Sequence, residues 1–217
     1  EVLAAADSAC YVAKKQSAAG SSVSIYSAAD EAAARSSGEI HWLQQLQSAI
    51  KQERFELATQ TIMPVSPTMR TGPAMEVLVR MRDDAGRELP PADFVRAAER
   101  YGLMGVIDRW VVHRVLAMLG EHTASLVRRR ASFAVNISGQ SLGDQDFAAF
   151  LDCELRASGI PAELLTFEVT ETAAVANIVR AEALIRRLRD LGFGVALDDF
   201  GQGLSSLAYL KTLPVTT

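Results

Sequence analysis

The chain has 217 residues, 49% of them hydrophobic and 22% charged, with a formal net charge of −4. That is enough for one full domain with a sizeable core, or for one domain plus a fragment. The acidic balance and the lack of a basic face argue against a nucleic-acid polymer as ligand, since such binding rests on clustered Lys and Arg. No apolar run approaches the roughly 20 residues of a membrane span, and the first residues lack the basic and apolar stretches of a signal peptide. The two cysteines, Cys10 and Cys153, show neither CxxC nor metal-ligand spacing, and each sits in an apolar helical pattern. Buried thiols in a reducing cytoplasm are expected.

In chain order, EVLAAADSACYVAKK reads as a helix, so the chain is expected to begin inside a longer protein. A Ser/Gly turn over 16–22 and a short strand, VSIY, follow. Residues 28–54 are polar and Ala-rich. Asp30 is placed to cap a helix, and Ile40, Leu43, Leu46 and Ile50 form an apolar stripe at helical period. This segment reads as a connector helix. From Phe55 onward strands alternate with helices. Strands are expected near 55–64, 74–82, 132–138, 164–170 and 193–199, and helices near 91–104, 106–119, 145–158 and 174–191. Such alternation implies parallel strands with crossover helices. The punctuation agrees: Pro90-Pro91 opens a helix, and Gly159 and Gly192 close helices. Arg128-Arg129-Arg130 reads as a solvated helix end. His113 falls on a covering helix, and His122 in a loop.

Side chains alternate faces along a strand. In AMEVLVRMR, Met75, Val77, Val79 and Met81 share one face, and Glu76, Leu78 and Arg80 the other. In SFAVNIS the apolar set is Phe133, Val135 and Ile137, opposed by Ala134, Asn136 and Ser138. In 164–170 it is Leu165, Phe167 and Val169, opposed by Thr166, Glu168 and Thr170. In 193–198 it is Phe193, Val195 and Leu197, opposed by Gly194, Ala196 and Asp198. Four strands therefore share one design: a large apolar face suited to covering helices, and a small or polar face with one oxygen donor. An open sheet wrapped by helices is apolar on both faces. A closed (β/α) barrel, with its polar residues inside and near the carboxy-terminal strand ends, explains the pattern better.

Alone, Glu76 reads as a strand-edge charge and Asp198 as a cap for the next helix. Agreement in parity across four strands favours one common site. Buried carboxylates are costly unless cations neutralise them. Carboxylates plus one Asn carbonyl, with no His or Cys, make a hard-oxygen donor set suited to Mg²⁺ or Mn²⁺ rather than Zn²⁺. The adjacent Asp198-Asp199 pair suits bridging between two cations, an arrangement that assists phosphoryl displacement.

The motifs MEVLVR, FAVNISGQSL, FEVTET and DDFGQGLSSLAYLKTLPV occur in that order. In order and spacing they resemble the EAL family of cyclic-di-GMP phosphodiesterases, over residues 55–217. The resemblance implies an α/β, TIM-barrel-like EAL fold, C-terminally incomplete in this chain: the family's last strands, with a lysine and a further glutamate ligand, would follow Thr217. It implies metal ligation by Glu76, Asn136, Glu168, Asp198 and Asp199, and a loop-steadying role for Glu171. Gln60, Leu78 and Arg80 resemble residues that hold the dinucleotide, with Arg80 on a phosphate. The implied reaction is hydrolysis of cyclic-di-GMP to pGpG, in a domain that forms homodimers. The alternative is an inactive EAL domain acting as a cyclic-di-GMP receptor. Residues 1–27 resemble the end of a GGDEF (diguanylate cyclase) domain, and 28–54 the helix that joins GGDEF to EAL domains. Val77 stands where the family has alanine. By parity it faces the helices, so the expected consequence is a packing change.

Overall fold

Alternating apolar residues, with β-branched or aromatic side chains at most inward positions, make the strands of one mixed sheet. The computed structural model of the chain describes residues 41–65, 72–201 and 213–216. The remnant over 1–27, residues 28–40 of the connector, residues 66–71 and the loop-motif residues Gln202 to Thr212 lie outside the described residues. Two units partition the chain, Glu1–Leu46 and Gln47–Thr217. Residues 41–51 are helical (α1).

The strands are β1 (Phe55–Ile62), β2 (Ala74–Arg82), β3 (Glu88–Leu89), β4 (Ser132–Ile137), β5 (Leu165–Thr170) and β6 (Gly194–Asp198). Their order in the sheet is β1-β2-β4-β5-β6, with β3 on the end of β2. β1 is antiparallel to β2. The pairs β2–β4, β4–β5 and β5–β6 are parallel, as the alternation with helices implies. The helices are α2 (Pro91–Arg100), α3 (Met104–Arg128), α4 (Gly139–Leu142), α5 (Gln145–Ser158), α6 (Glu171–Ala176) and α7 (Ile178–Asp190). Past β6, the Thr216 amide donates to the Val195 carbonyl at 2.7 Å, and the Val195 amide donates to the Thr216 hydroxyl at 3.0 Å.

Register confirms the two-faced design. Val77, Val135, Phe167 and Val195 lie side by side across four strands, all buried. Val77 is thus on the helix-facing side, where its extra bulk is absorbed by packing. The helices cover this face with matching stripes: Ile107, Val111, Val115 and Leu119 from α3, and Leu184, Ile185 and Leu188 from α7. Phe167 and Phe193 meet at 6.1 Å in an edge-on arrangement, and each buried side chain of this size contributes about 1.5–3 kcal/mol. The opposite face aligns Glu76, Ala134, Thr166 and Gly194 in one row, and Asn136, Glu168 and Ala196 in the next. Gly194 is required there: a Cβ on it would stand 2.6 Å from the Thr166 hydroxyl.

Several boundaries differ from expectation. α3 continues nine residues past Leu119, where its apolar stripe stops, so His122 lies in a helix and not in a loop. Hydrophobic periodicity marks the buried part of a helix, and the solvated part of α3 carries none. The single helix expected over 174–191 is broken at Asn177 (φ −136°, ψ 53°), a residue type whose side chain competes for backbone hydrogen bonds. Cys153 is exposed, contrary to the buried thiol expected. The buried stripe of α5 is Phe147, Leu151 and Leu155, and Cys153 sits two residues off it, roughly 200° around the helix. The Arg128–Arg130 run does close a helix and is exposed.

Candidate functional site

The polar face carries Glu168 and Asp198 in the carboxy-terminal halves of β5 and β6, and Glu76 as the third residue of β2. Glu76 on β2 and Asn136 on β4 are joined directly, the Asn136 Nδ2 donating to Glu76 Oε1 at 2.8 Å. Glu168 on β5 is in register with Asn136. Asp198, the last residue of β6, is in register with Thr170 and exposed to solvent. Asp199 follows in the left-handed region (φ 54°), which Asp tolerates better than most residues.

These charges sense one another. Burial first, and then the negative charges of Glu76 and Asp198, push the Glu168 carboxyl up to about 7. Burial and the two neighbouring acids together oppose the ionisation of Glu168. Among the described residues, no three His, Cys, Asp or Glu side chains already stand as a metal cage. The donors on this face, carboxylates and one Asn amide, are all oxygen ligands of the kind that hard divalent cations take. Beside Glu168, a cavity of about 420 Å³ opens against Ala134, Thr166 and Ala196, with Ile62 and Met75 also on its wall. The small side chains of this face leave that space.

Glu171, the first residue of α6, is 2% exposed. Its Oε2 accepts the Gly201 amide at 2.6 Å, two residues beyond Asp199. α6 is itself started by Thr170, whose hydroxyl accepts the Ala173 amide. The residues read as dinucleotide contacts lie along β1 and β2. Gln60 is exposed and in register with Glu76, and Leu78 is half-buried two residues further along the same face. Arg80 is held back: its Nε pairs with Glu88 Oε1 at 3.2 Å, and its Nη1 donates to the Val79 carbonyl. Of the nine site residues expected, Glu76, Asn136, Glu168 and Asp198 are thus brought together. Glu171 and Asp199 directly follow the ends of β5 and β6, and Gln60, Leu78 and Arg80 lie on β1 and β2.

Sequence reasoning missed Glu88, because the two-residue strand β3 that carries it has no periodicity. It also missed Asp108. That residue is 5% exposed, within the buried stripe Met104, Ile107, Val111 and Val112 of α3. An acid in register with an apolar stripe was the available signal. His113 meets Glu154 at the surface, at 3.1 Å, away from the polar face.

The EAL domain family model matches residues 43–217. This chain belongs to the EAL domain family. It is 34% identical to the cyclic di-GMP phosphodiesterase PdeB of Shewanella oneidensis over 215 residues, covering 99% of this chain and 24% of that protein. The chain spans about a quarter of the length of the curated phosphodiesterases it matches. Among solved structures, the FimX EAL domain from Pseudomonas aeruginosa bound to c-di-GMP superimposes with a TM-score of 0.71 at 31% identity, over 80% of this chain and 68% of that one. The PaMucR phosphodiesterase in complex with c-di-GMP gives a TM-score of 0.70 at 26% identity, over 81% of this chain and 70% of that one. The mixed α/β sheet is thus an EAL fold, of the TIM-barrel-like kind expected. Among the described residues, no helix is long and apolar enough to cross a membrane.

Proposed function

We propose that this chain is the EAL part of a cyclic-di-GMP phosphodiesterase that opens one phosphodiester bond to give pGpG. One observation carries the reading: Glu76, Glu168 and Asp198 share a face, where burial first and then the charges of Glu76 and Asp198 raise the Glu168 carboxyl to about 7. Relatives named as cyclic di-GMP phosphodiesterases support the choice of substrate.

Glu76, Asn136, Glu168, Asp198 and Asp199 would hold two divalent cations, Mg²⁺ or Mn²⁺. With its Nδ2 engaged by Glu76, Asn136 offers its carbonyl oxygen. When bound, such cations draw charge from phosphate oxygens and make water acidic enough to attack at neutral pH. Arg80 would exchange Glu88 for a substrate phosphate, which its planar donors match well. Leu78 would lie under the nucleotide, and Gln60 would hydrogen-bond it. Glu171, through the Gly201 amide, would steady the turn that aims Asp199. Residues 1–27 would be the end of a GGDEF domain and 28–54 the connector. Homodimerisation through the EAL domain belongs to the same proposal.

The test is hydrolysis of cyclic-di-GMP by the longer protein carrying this chain, with Mn²⁺ or Mg²⁺, followed by chromatography of pGpG. Turnover lost on Glu76→Ala supports the reading, and turnover that survives this change overturns it. Binding without turnover assigns the chain as a receptor.

A further inference from the structure

Asp108 is an acid that the polar face does not use. It lies on the other side of β4, in the apolar stripe by which α3 covers the sheet. A buried carboxylate is costly unless hydrogen bonds compensate it, so its partners indicate its task. Its Oδ2 accepts the Ser138 amide at 3.0 Å. Ser138 is the residue just after β4, two beyond Asn136, and it caps α4 by accepting the Ser141 amide on its hydroxyl. Burial pushes the Asp108 carboxyl above the usual range, and the nearby hydroxyls of Ser138 and Ser141 pull the other way.

The same turn is held at two further points. Gln140 accepts the Met104 amide at the start of α3 through Oε1 and donates through Nε2 to the Glu99 carbonyl at the end of α2. On the opposite side, Gly139 lies so close to α6 that a Cβ would stand 3.2 Å from the Ala173 Cβ. The turn after β4 is thus held between α3 and α6. Asn136 is the last residue of β4 on the polar face.

We propose that Asp108 is a positioning residue: through the Ser138 amide it fixes the height at which β4 presents Asn136 to Glu76. Its importance for ligand binding rests on the proposed reading of the polar face. An aliphatic side chain at 108 would fill the stripe but leave the Ser138 amide unpaired. An asparagine would keep an acceptor oxygen in place.

The experiment compares Asp108→Leu and Asp108→Asn in the full chain, well below the unfolding midpoint. The ¹⁵N resonances of the Asn136 side-chain amide are recorded without ligand, and cyclic-di-GMP affinity is measured by calorimetry in Mn²⁺. Asp108→Leu is expected to shift the Asn136 resonances and weaken affinity about tenfold, the order expected from losing one buried charged hydrogen bond. Asp108→Asn should return both close to native, within about threefold in affinity. Should Asp108→Leu fail to fold, Asp108→Ser, too short to reach Ser138, is read in its place. Unshifted Asn136 resonances in a folded Leu or Ser variant overturn the proposal, as does an Asn variant as defective as Leu. If the native chain binds no cyclic-di-GMP, the ligand-site reading fails, while the Asn136 resonances still decide the positioning role.

Discussion

Replacing Glu168 by Gln removes an acid of the polar face whose ionisation the fold opposes. The carboxyl rises from an ordinary 4.5 to about 7 in the folded chain. A folded pKa above the unfolded one means the folded state holds its proton more tightly. That contribution to stability is therefore present below about 4.5 and lost as pH rises through about 7. The difference of about 2.5 units would correspond to at most ~3.4 kcal/mol at ~1.36 kcal/mol per unit. Because Glu168 is only half-buried, solvent screening reduces this to about 1–2 kcal/mol. Urea unfolding of wild type and Glu168→Gln, in EDTA and followed by circular dichroism, reads it out. The variant should exceed wild type by about 1–2 kcal/mol at about pH 8, and the advantage should shrink towards about pH 5. A difference that does not change with pH, or a variant less stable at the higher pH, would refute the electrostatic argument. Saturating Mn²⁺ at about pH 8 should stabilise wild type more than the variant, since a cation that binds only the folded state adds its binding free energy.

Phe167→Ala empties the centre of the sheet-helix core and should cost about 3–5 kcal/mol, seen as a lower urea midpoint. Asp144 caps α5 through the Asp146 amide and pairs with Arg109, whose guanidinium lies 5.4 Å from the Phe147 ring centre. Asp144→Ala should therefore cost about 1–2 kcal/mol. Arg109→Met, which keeps the cap, should cost less, about 0.5–1 kcal/mol. Gly194→Ala forces a methyl against the Thr166 hydroxyl and should cost about 1–3 kcal/mol. Adding Thr166→Ala should recover most of that loss, as a double-mutant cycle would show.

Much of this was legible in the residue order. A period-two pattern assigns every second side chain of a strand to one face, whatever the rest of the fold does. The split of Val77, Val135, Phe167 and Val195 from Glu76, Asn136, Glu168 and Asp198 could thus be read without coordinates. The family was legible on different grounds, the resemblance of four motifs in their order and spacing. Elements with no period of their own were not legible: the antiparallel pairing of β1, the two-residue β3, and the solvated end of α3.

The sequence alone determined which side chains face which way, because that follows from local backbone geometry. The tertiary structure decided which of them meet. It brought Glu76 to Asn136 across sixty residues, gave Arg80 a carboxylate partner in Glu88, and placed Asp108 beneath the turn that follows Asn136. Such encounters depend on register and on helix placement. Both are set by the packing of the whole core, and no local stretch of sequence encodes them.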